Sequence, residues 1–498
     1  MKLKYILLSA VAGATMILTG CKKDYLELNS TEFISYDQLL EASRKDPGLL
    51  AGTVNGLYAT MYQVGSGGTT GHDDFGQKGY DIFLDMLSGD MALIGVTYGW
   101  YTPVVRFQAS LDYTRNNNYQ PWRFYYRLIL GANTVLDALG GDTIPQTEPE
   151  RRHIAGQAKA MRAYAYFYLT QFYSKEYGDG TEKILPIYTN TKMVNQPKST
   201  TKQVFDLMVK DLDTAQNYLS DFNRATKDQV NSNVAKGMLA YVLAYRGTQE
   251  DLERVVTLTQ EIVDANPLTT PDETVARFVN GVLQNPQSGF NNVATPSWIW
   301  GVDLTLASNL DLVSWWGQMD YFTYSYAGAG DAKVMDASLQ ASIKADDIRR
   351  GQFHSTGRPL QKFFDPARKA MGQRSVTTDY IYMRTDEFLL LNAEAKVRLG
   401  QDGPARDALK LLLDERVTDY AYVDALSGPG LLDEIYKQTR IELWGEGKSY
   451  LAMKRLKKSI TRGPNHLYFA GNTYAYNAPE LTFPIPQAEV LNNPVLNN

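Results

Sequence analysis

The side chains of this 498-residue sequence that could do chemistry fall into two unequal groups. The reactive group is thin: one cysteine, Cys21, and four histidines, His72, His153, His354 and His466. No two histidines share a metal-ligand spacing, so no metal site is expected. No Gly-x-Ser-x-Gly elbow accompanies them, so a Ser-His-Asp triad has no support. The glycine-rich stretch Gly65 to Asp74 lacks the Gly-Lys-Ser/Thr ending of a phosphate cradle, and no cofactor is implied. Carboxylates are plentiful, Asp73-Asp74 and Asp386-Glu387 among them. Glycosidic hydrolysis, however, needs two that flank one bond at about 5 Å or about 6.5–9.5 Å, and nothing in the spacing assigns such a pair. Asp386-Glu387 reads instead as the solvated first turn of a helix. No catalytic residue is assigned.

The second group is aromatic, with 33 Tyr and 7 Trp. Tyr exceeds what core filling asks for, and its ring prefers a place with one wet end. Trp100 and Tyr101 fall in a Gly-flanked loop, while Trp315, Trp316 and Tyr324 fall in a region poor in helical period. Aromatic faces held on loops make a stacking platform, and Asp74 in the glycine-rich loop is a candidate hydroxyl acceptor. Each ring taken alone also fits a core position. In an extended segment Phe322, Tyr324 and Tyr326 share one side, which would turn Tyr324 inward.

The elements that must hold these side chains are mostly helical. Asp46-Pro47 to Tyr62 has the helical apolar period, and Asp81 to Leu87 reads as helix. Pro121 is expected to open the next helix, with Trp122, Tyr126, Ile129, Asn133 and Leu136 on one stripe. The strongest signal runs from Ala155 to Tyr173, where Ala158, Met161, Ala165, Leu169 and Phe172 recur at three- and four-residue steps. Its alternation of small and aromatic residues predicts a packed core. Thr200-x-x-Gln203 is a capping box, and Val230–Tyr245 and Gln249–Ala265 form a hairpin joined at Gly247. From about Leu268 to Asp379 the period fades, and Trp298 to Val302 reads as a short strand. Helices return at Asp386. Leu389, Ala393, Ala405 and Leu409 then stand at the core spacing of a tetratricopeptide repeat, with the turn at Gly400 to Pro404. A last helical pair spans Gly430 to Lys457, broken near Gly445-Glu446-Gly447. Leu481 to Pro486 cannot be helix.

The N-terminus is a different kind of element. Lys2 and Lys4 precede an apolar run from Tyr5 to Thr19, and Leu18-Thr19-Gly20 leads into Cys21. This is a secretory signal peptide, and small residues directly before a cysteine resemble the lipobox of bacterial lipoproteins, in which that cysteine is acylated. Once cleaved, the chain would carry no other thiol, hence no disulfide and no cysteine nucleophile. Residues 22–36 read as a polar tether. With 50 basic and 55 acidic residues, net −5 and no block of like charge, nucleic acid is not an expected partner.

Four stretches resemble the SusD/RagB family of Bacteroidetes outer-membrane glycan-binding lipoproteins. They are Arg162–Leu169 with Leu185-Pro186, Leu390–Ala395 with Leu399-Gly400, Arg440–Gly447, and Phe483–Gln487 with Glu489 and Asn493-Pro494. They come in the family's order. Where the family carries Arg, Asp and Trp after the Glu-Gly pair, this chain has Ser449, Ala452 and Leu456. The resemblance implies a mainly α fold, a tetratricopeptide-like helical scaffold with a large loop-rich region and minor β. It also implies a glycan-binding face and a SusC-type TonB-dependent transporter over which the protein sits as a lid. The expected organisation is a signal peptide (1–21), a tether (22–36), a helical half (37–267), a loop-rich ligand-binding region (268–383) and a second helical half (384–498), in one globular unit. The expected function is to bind oligosaccharide at the cell surface, anchored to the outer membrane through Cys21, and to pass it to the transporter. The platform would then be Trp100, Tyr101, Trp315, Trp316 and Tyr324, with Asp74. A lid or adhesin without its own saccharide, and a glycoside hydrolase, are the competing readings.

Overall fold

The computed structural model of the protein describes residues 41–42, 48–321, 324–369, 372 and 375–498. The signal peptide, Cys21, the tether and Phe322 lie outside the described residues. No described helix is long and apolar enough to cross a membrane.

The chain is mainly helical. After α1 (Gly48–Thr60) and α2 (Gln77–Leu87) come α3 (Asn116–Ala138) and α4 (Pro149–Tyr173). α5 (Thr201–Tyr218), α6 (Ser232–Arg246) and α7 (Gln249–Ala265) follow. A five-residue helix, α8 (Trp315–Met319), precedes the C-terminal set α9 (Thr385–Arg398), α10 (Asp402–Asp414), α11 (Gly428–Glu442) and α12 (Ser449–Arg455). α3 packs on α4, α4 on α5, α5 on α6 and α6 on α7. α7 then packs on α9, and α9 on both α10 and α11. Such a row, in which each helix meets mainly its chain neighbours, is the helical-repeat architecture that the spacing predicted.

Local chemistry explains the joints. At the head of α5 the Thr200 hydroxyl accepts the Gln203 N–H at 3.2 Å, and the Gln203 side chain accepts the Thr200 N–H at 2.9 Å. α6 ends on Gly247 in the left-handed region, which Gly enters without a Cβ penalty. One apolar core runs from Leu50 to Phe483, and a smaller one of Leu389, Ala393, Ala405 and Leu409 fills the space among α9, α10 and α11.

Two expectations change here. Pro121 does not open α3 but sits inside it, one and a half turns from its start at Asn116. Asp112 organises the turn before it, accepting the Thr114 N–H at 3.1 Å, and helical bonding begins at Arg115, whose carbonyl receives Asn118 and Tyr119. The proline forfeits only the bond to the Asn117 carbonyl. Nor is the tyrosine surplus a surface feature. Tyr80, Tyr125, Tyr164, Tyr166, Tyr168, Tyr173 and Tyr241 are all buried. Their polar ends reach backbone where they can, as when Tyr173 donates to the Asn118 carbonyl at 2.5 Å.

Sheets are short and local. β1 (Met91–Leu93) pairs antiparallel with β3 (Lys333–Met335), and β2 (Trp298–Val302), the strand expected from its sequence, pairs with β4 (Tyr380–Arg384). The second pair matters most, because β4 delivers Arg384 into a buried ionic cluster. Arg384 meets Glu442 at 2.8 Å, Glu446 at 2.9 Å and Asp386 at 3.1 Å. Arg416 meets Glu442 at 3.0 Å and Asp386 at 2.8 Å. Arg349 pairs with Glu442 at 3.0 Å and Asp347 at 2.6 Å, and Lys362 with Glu446 at 3.0 Å. The four cations and four carboxylates balance, and all eight side chains are buried.

Asp386-Glu387 is therefore not a solvated helix start. Asp386 is one of the four anions, and Glu387 accepts the Arg384 N–H at 2.8 Å and the Tyr241 hydroxyl. Burial alone would raise the Glu442 carboxyl, but Arg416, Arg384 and Arg349 outweigh it and hold it well below its ordinary value. The motif's glycines serve the same approach. Gly445 and Gly447 adopt positive φ (81° and 72°), and a Cβ on either would strike Phe363 or Asp81. Further on, Ser449 and Ala452 pack without accessible surface, and Arg455 pairs with Glu394 at 2.7 Å.

Removing one partner from a buried ionic set leaves opposite charge uncompensated, a loss of about 3–5 kcal/mol. Glu442→Gln should lower the thermal transition accordingly. Because the folded carboxyl sits below its unfolded value, the stabilisation is complete above the unfolded pKa of about 4.3 and is lost as pH falls through the folded one. A variant that melts like wild type at neutral pH would show that the cluster is not holding the fold.

Candidate functional site

Two loops and the first turns of α3 enclose a cleft of about 780 Å³. The first wall is the glycine-rich loop. Asp74 closes it from inside: its carboxylate accepts the Gly67 N–H at 2.7 Å, and the Thr69 N–H and hydroxyl at 2.9 Å each. The closed loop presents Thr69, Thr70 and Gly71 to the cleft. The second wall is Tyr98-Gly99-Trp100. It is held by Asp331, just before β3, whose carboxylate accepts the N–H groups of Thr97, Tyr98 (3.1 Å) and Gly99 (3.1 Å). A carboxylate that gathers three backbone donors fixes the loop much as a helix cap would.

The floor is α3. Its first turns, the part that precedes Pro121, bring Asn116, Asn117, Tyr119 and Gln120 to the cleft. Asp73 joins them, accepting from Asn117 Nδ2 at 2.6 Å and Gln120 Nε2 at 3.1 Å. Burial pushes the Asp73 carboxyl up, with the two amides and the nearby Asp74 as smaller influences. The result is a row of planar amide and carboxylate groups lining the same cleft as an aromatic wall.

That wall is a cluster of four rings. Trp100 stacks on His72 with centroids 4.9 Å apart and planes within 6°. Tyr326 meets Trp100 edge-on at 6.1 Å and Tyr98 at 5.2 Å, and its hydroxyl bonds His72 Nδ1. Since His72 covers one face of the half-buried indole, the other face and its edge are what the cleft can use. Tyr98 is 62% exposed.

Among the residues expected from sequence, Trp100 lines this cleft and Tyr324 is half-buried outside its lining. The others are corrected by burial. Trp315 and Trp316 are 1% exposed and begin α8 instead of standing in an open loop. Trp316 Nε1 donates to the Thr378 carbonyl at 2.8 Å, and Trp315 packs on Phe363 with centroids 4.3 Å apart. Tyr101 is fully buried, edge-on to Phe83 at 5.5 Å and beneath the Lys333 ammonium at 5.1 Å. Asp74 has no exposed surface and spends its oxygens on its own loop.

These buried groups position the site without touching the cleft. α8 carries Gly317, whose carbonyl receives the Tyr326 N–H at 2.7 Å, and Gln318, which donates to the His72 carbonyl at 2.7 Å. Lys333 bonds Gln318 at 2.6 Å, and burial pulls its ammonium down to about 7. Sequence reasoning missed His72, Asp73, Tyr98, Asn117, Tyr119 and Gln120. The run Asn116-Asn117-Asn118-Tyr119-Gln120 was the available signal, hidden by starting the helix at Pro121. No group of three or more His, Cys, Asp or Glu suited to a metal ion occurs among the described residues.

Two family models match this chain. One, described as "Starch-binding associating with outer membrane", matches residues 83–243, and the other, described as "SusD family", matches residues 315–498. The chain belongs to the SusD/RagB family. A SusD-like protein of Bacteroides ovatus is 24% identical over 485 residues, covering 80% of this chain and 83% of that one. In fold, the chain is similar to a SusD-like carbohydrate binding protein from Bacteroides vulgatus (TM-score 0.73, 23% identity, 90% of this chain and 97% of that one). It is also similar to a SusD superfamily protein from Bacteroides thetaiotaomicron (TM-score 0.71, 19% identity, 90% and 98%). The mainly α architecture is thus that of SusD-like proteins.

The SusD-like scaffold separates support from surface at the tryptophans. Trp315→Ala should lose about 3–5 kcal/mol of stability, as for other buried large-to-Ala changes. Trp100→Ala, at a half-buried ring, should stay within about 1 kcal/mol of wild type. Thermal melts of the two variants check this, and equal losses would contradict the placement of Trp100 at the cleft.

Proposed function

We propose that this SusD-like protein is a cell-surface lipoprotein that holds an oligosaccharide in the cleft at Trp100 and passes it to a SusC-type TonB-dependent transporter. One observation carries the binding reading: the aromatic Trp100 and Tyr98 line the same cleft of about 780 Å³ as the planar polar groups of Asn117, Gln120 and Asp73. Sugar rings carry C–H patches that pack on aromatic faces, while their hydroxyls need donors and acceptors held in fixed directions. The family match and the carbohydrate-binding relative of known structure support the same ligand class.

Hydrolysis finds less support. Asp73 is the single carboxylate among the residues lining the cleft, and both of its oxygens accept amide donors. A two-carboxylate mechanism needs a second one across the scissile bond. Titration of oligosaccharides from several polysaccharide classes, followed by Trp100→Ala on the best binder, tests the assignment. Loss of a recognition aromatic should weaken affinity by about 1–3 kcal/mol, roughly ten- to hundredfold. Wild-type affinity in Trp100→Ala would move the site elsewhere. Absence of any binding would favour a lid without its own saccharide.

Anchoring rests on the signal peptide and Cys21. One acyl chain holds a protein only marginally, whereas two or three hold it stably. Cys21→Ala should therefore shift the protein from the membrane to the soluble fraction and abolish its co-purification with the transporter in mild detergent. A mature N-terminus elsewhere than Cys21, without lipid by mass spectrometry, would refute the anchor.

A further inference from the structure

A second concavity, of about 580 Å³, opens beside the first and shares Gly68 and Tyr119 with it. Its wall is the outer face of α3, where Tyr126 and Arg127 follow Arg123 by three and four residues and Tyr119 precedes it by four. Tyr188 and Glu489 face them from other segments. Tyr119 therefore stands between two adjoining depressions, one amide-rich and lined by the Asp73 carboxylate, the other carrying two guanidinium groups.

The state of those guanidinium groups is what distinguishes the second depression. Both arginines are exposed. The Arg127 guanidinium has no ion pair or hydrogen bond among the described residues. Arg123 makes one long bond, 3.4 Å, to the Gly68 carbonyl. The carboxylate in the same pocket, Glu489, accepts Asn493 Nδ2 at 2.8 Å and pairs with neither arginine. Arg162 with Asp211 (2.7 Å) and Arg455 with Glu394 (2.7 Å) are, by contrast, closely paired. An unpaired guanidinium fork matches a carboxylate or sulfate in planar, two-point fashion, which an ammonium does not.

We propose that this depression is a second subsite, continuous with the first across Tyr119, that takes a sugar residue bearing an oxyanion, either a uronate carboxylate or a sulfate ester. The tyrosines supply stacking faces, and Arg127, with Arg123 beside it, supplies the charge. The proposal rests on the glycan-binding reading and narrows its substrate class to an acidic oligosaccharide that spans both depressions.

Two matched ligand pairs separate the sources of charge. One is a galacturonate hexasaccharide against its methyl ester, and the other a carrageenan hexasaccharide against its desulfated form. The full-length protein in detergent is titrated with each by calorimetry. In at least one pair the acidic member should bind about fivefold or more tighter, with the preference shrinking between about 50 and about 500 mM NaCl as exposed charges are screened. Arg127→Gln should bring the acidic-to-neutral ratio close to one, while Trp100→Ala weakens both members and keeps the ratio. No acidic preference in either pair, or a preference that survives Arg127→Gln, overturns the subsite. If an unrelated neutral glycan binds through Trp100 and no acidic one binds, this inference falls and the glycan-binding reading stands. If nothing binds, both fall.

Discussion

Eight buried charges in the C-terminal part of the chain set the terms for the rest of the structure. Arg349, Lys362, Arg384 and Arg416 come from four separate segments and converge on Glu442, Glu446, Asp386 and Asp347. Taking so many ions out of water is unfavourable unless each is paired and hydrogen-bonded, so the cluster tolerates one arrangement of those segments and few others. It joins the head of α9 to the end of α11, and through β4 it reaches the strand that carries Trp298 and Trp300. Within the same frame Glu387, beside Asp386, ties α9 to Tyr241 of α6. The ionic knot thus couples the C-terminal helices to the earlier part of the helical row.

The cleft inherits its rigidity from a second, less polar frame. α8 drives two tryptophans into the interior, and just beyond them the Gly317 carbonyl seats Tyr326 while the Gln318 side-chain amide seats His72. Asp331 then gathers the Thr97–Gly99 backbone, which leaves Trp100 lining the same cleft as the amides of α3. Tyr101, next to it, takes a left-handed conformation (φ 68°) that non-glycine residues adopt at some energetic disadvantage. Its buried ring and the Lys333 ammonium above it hold it there. A platform built this way needs little reordering when a ligand arrives, and preorganisation of that kind favours affinity without adding contacts.

How much of this was legible follows from the range of each interaction. Period and capping are local, so α4, the box at Thr200 and Gln203, the hairpin at Gly247 and the strand at Trp298 could be read directly. The motif Arg440–Gly447 was visible as a family signature. Its physical purpose was not, because Glu442 meets Arg384 and Arg349 only through tertiary contacts. Asp386-Glu387 misled for the same reason, since first-turn carboxylates ordinarily face water. The tryptophans at 315 and 316 misled because composition can mark a region as loop-rich without saying which side chains the loops cover. Asn117 and Gln120 escaped because Pro121 reads as a helix start, and the turn it conceals is the one that floors the cleft.

The central claim is that ligand recognition sits where the aromatic wall faces the amide floor. A crystal structure of the protein with a bound oligosaccharide tests that most directly. The account predicts a sugar ring packed against Trp100, with hydroxyls within hydrogen-bond distance of Asn117, Gln120 or Asp73, and the α8 tryptophans unmoved. A saccharide ordered elsewhere on the surface, with this cleft empty, would contradict it.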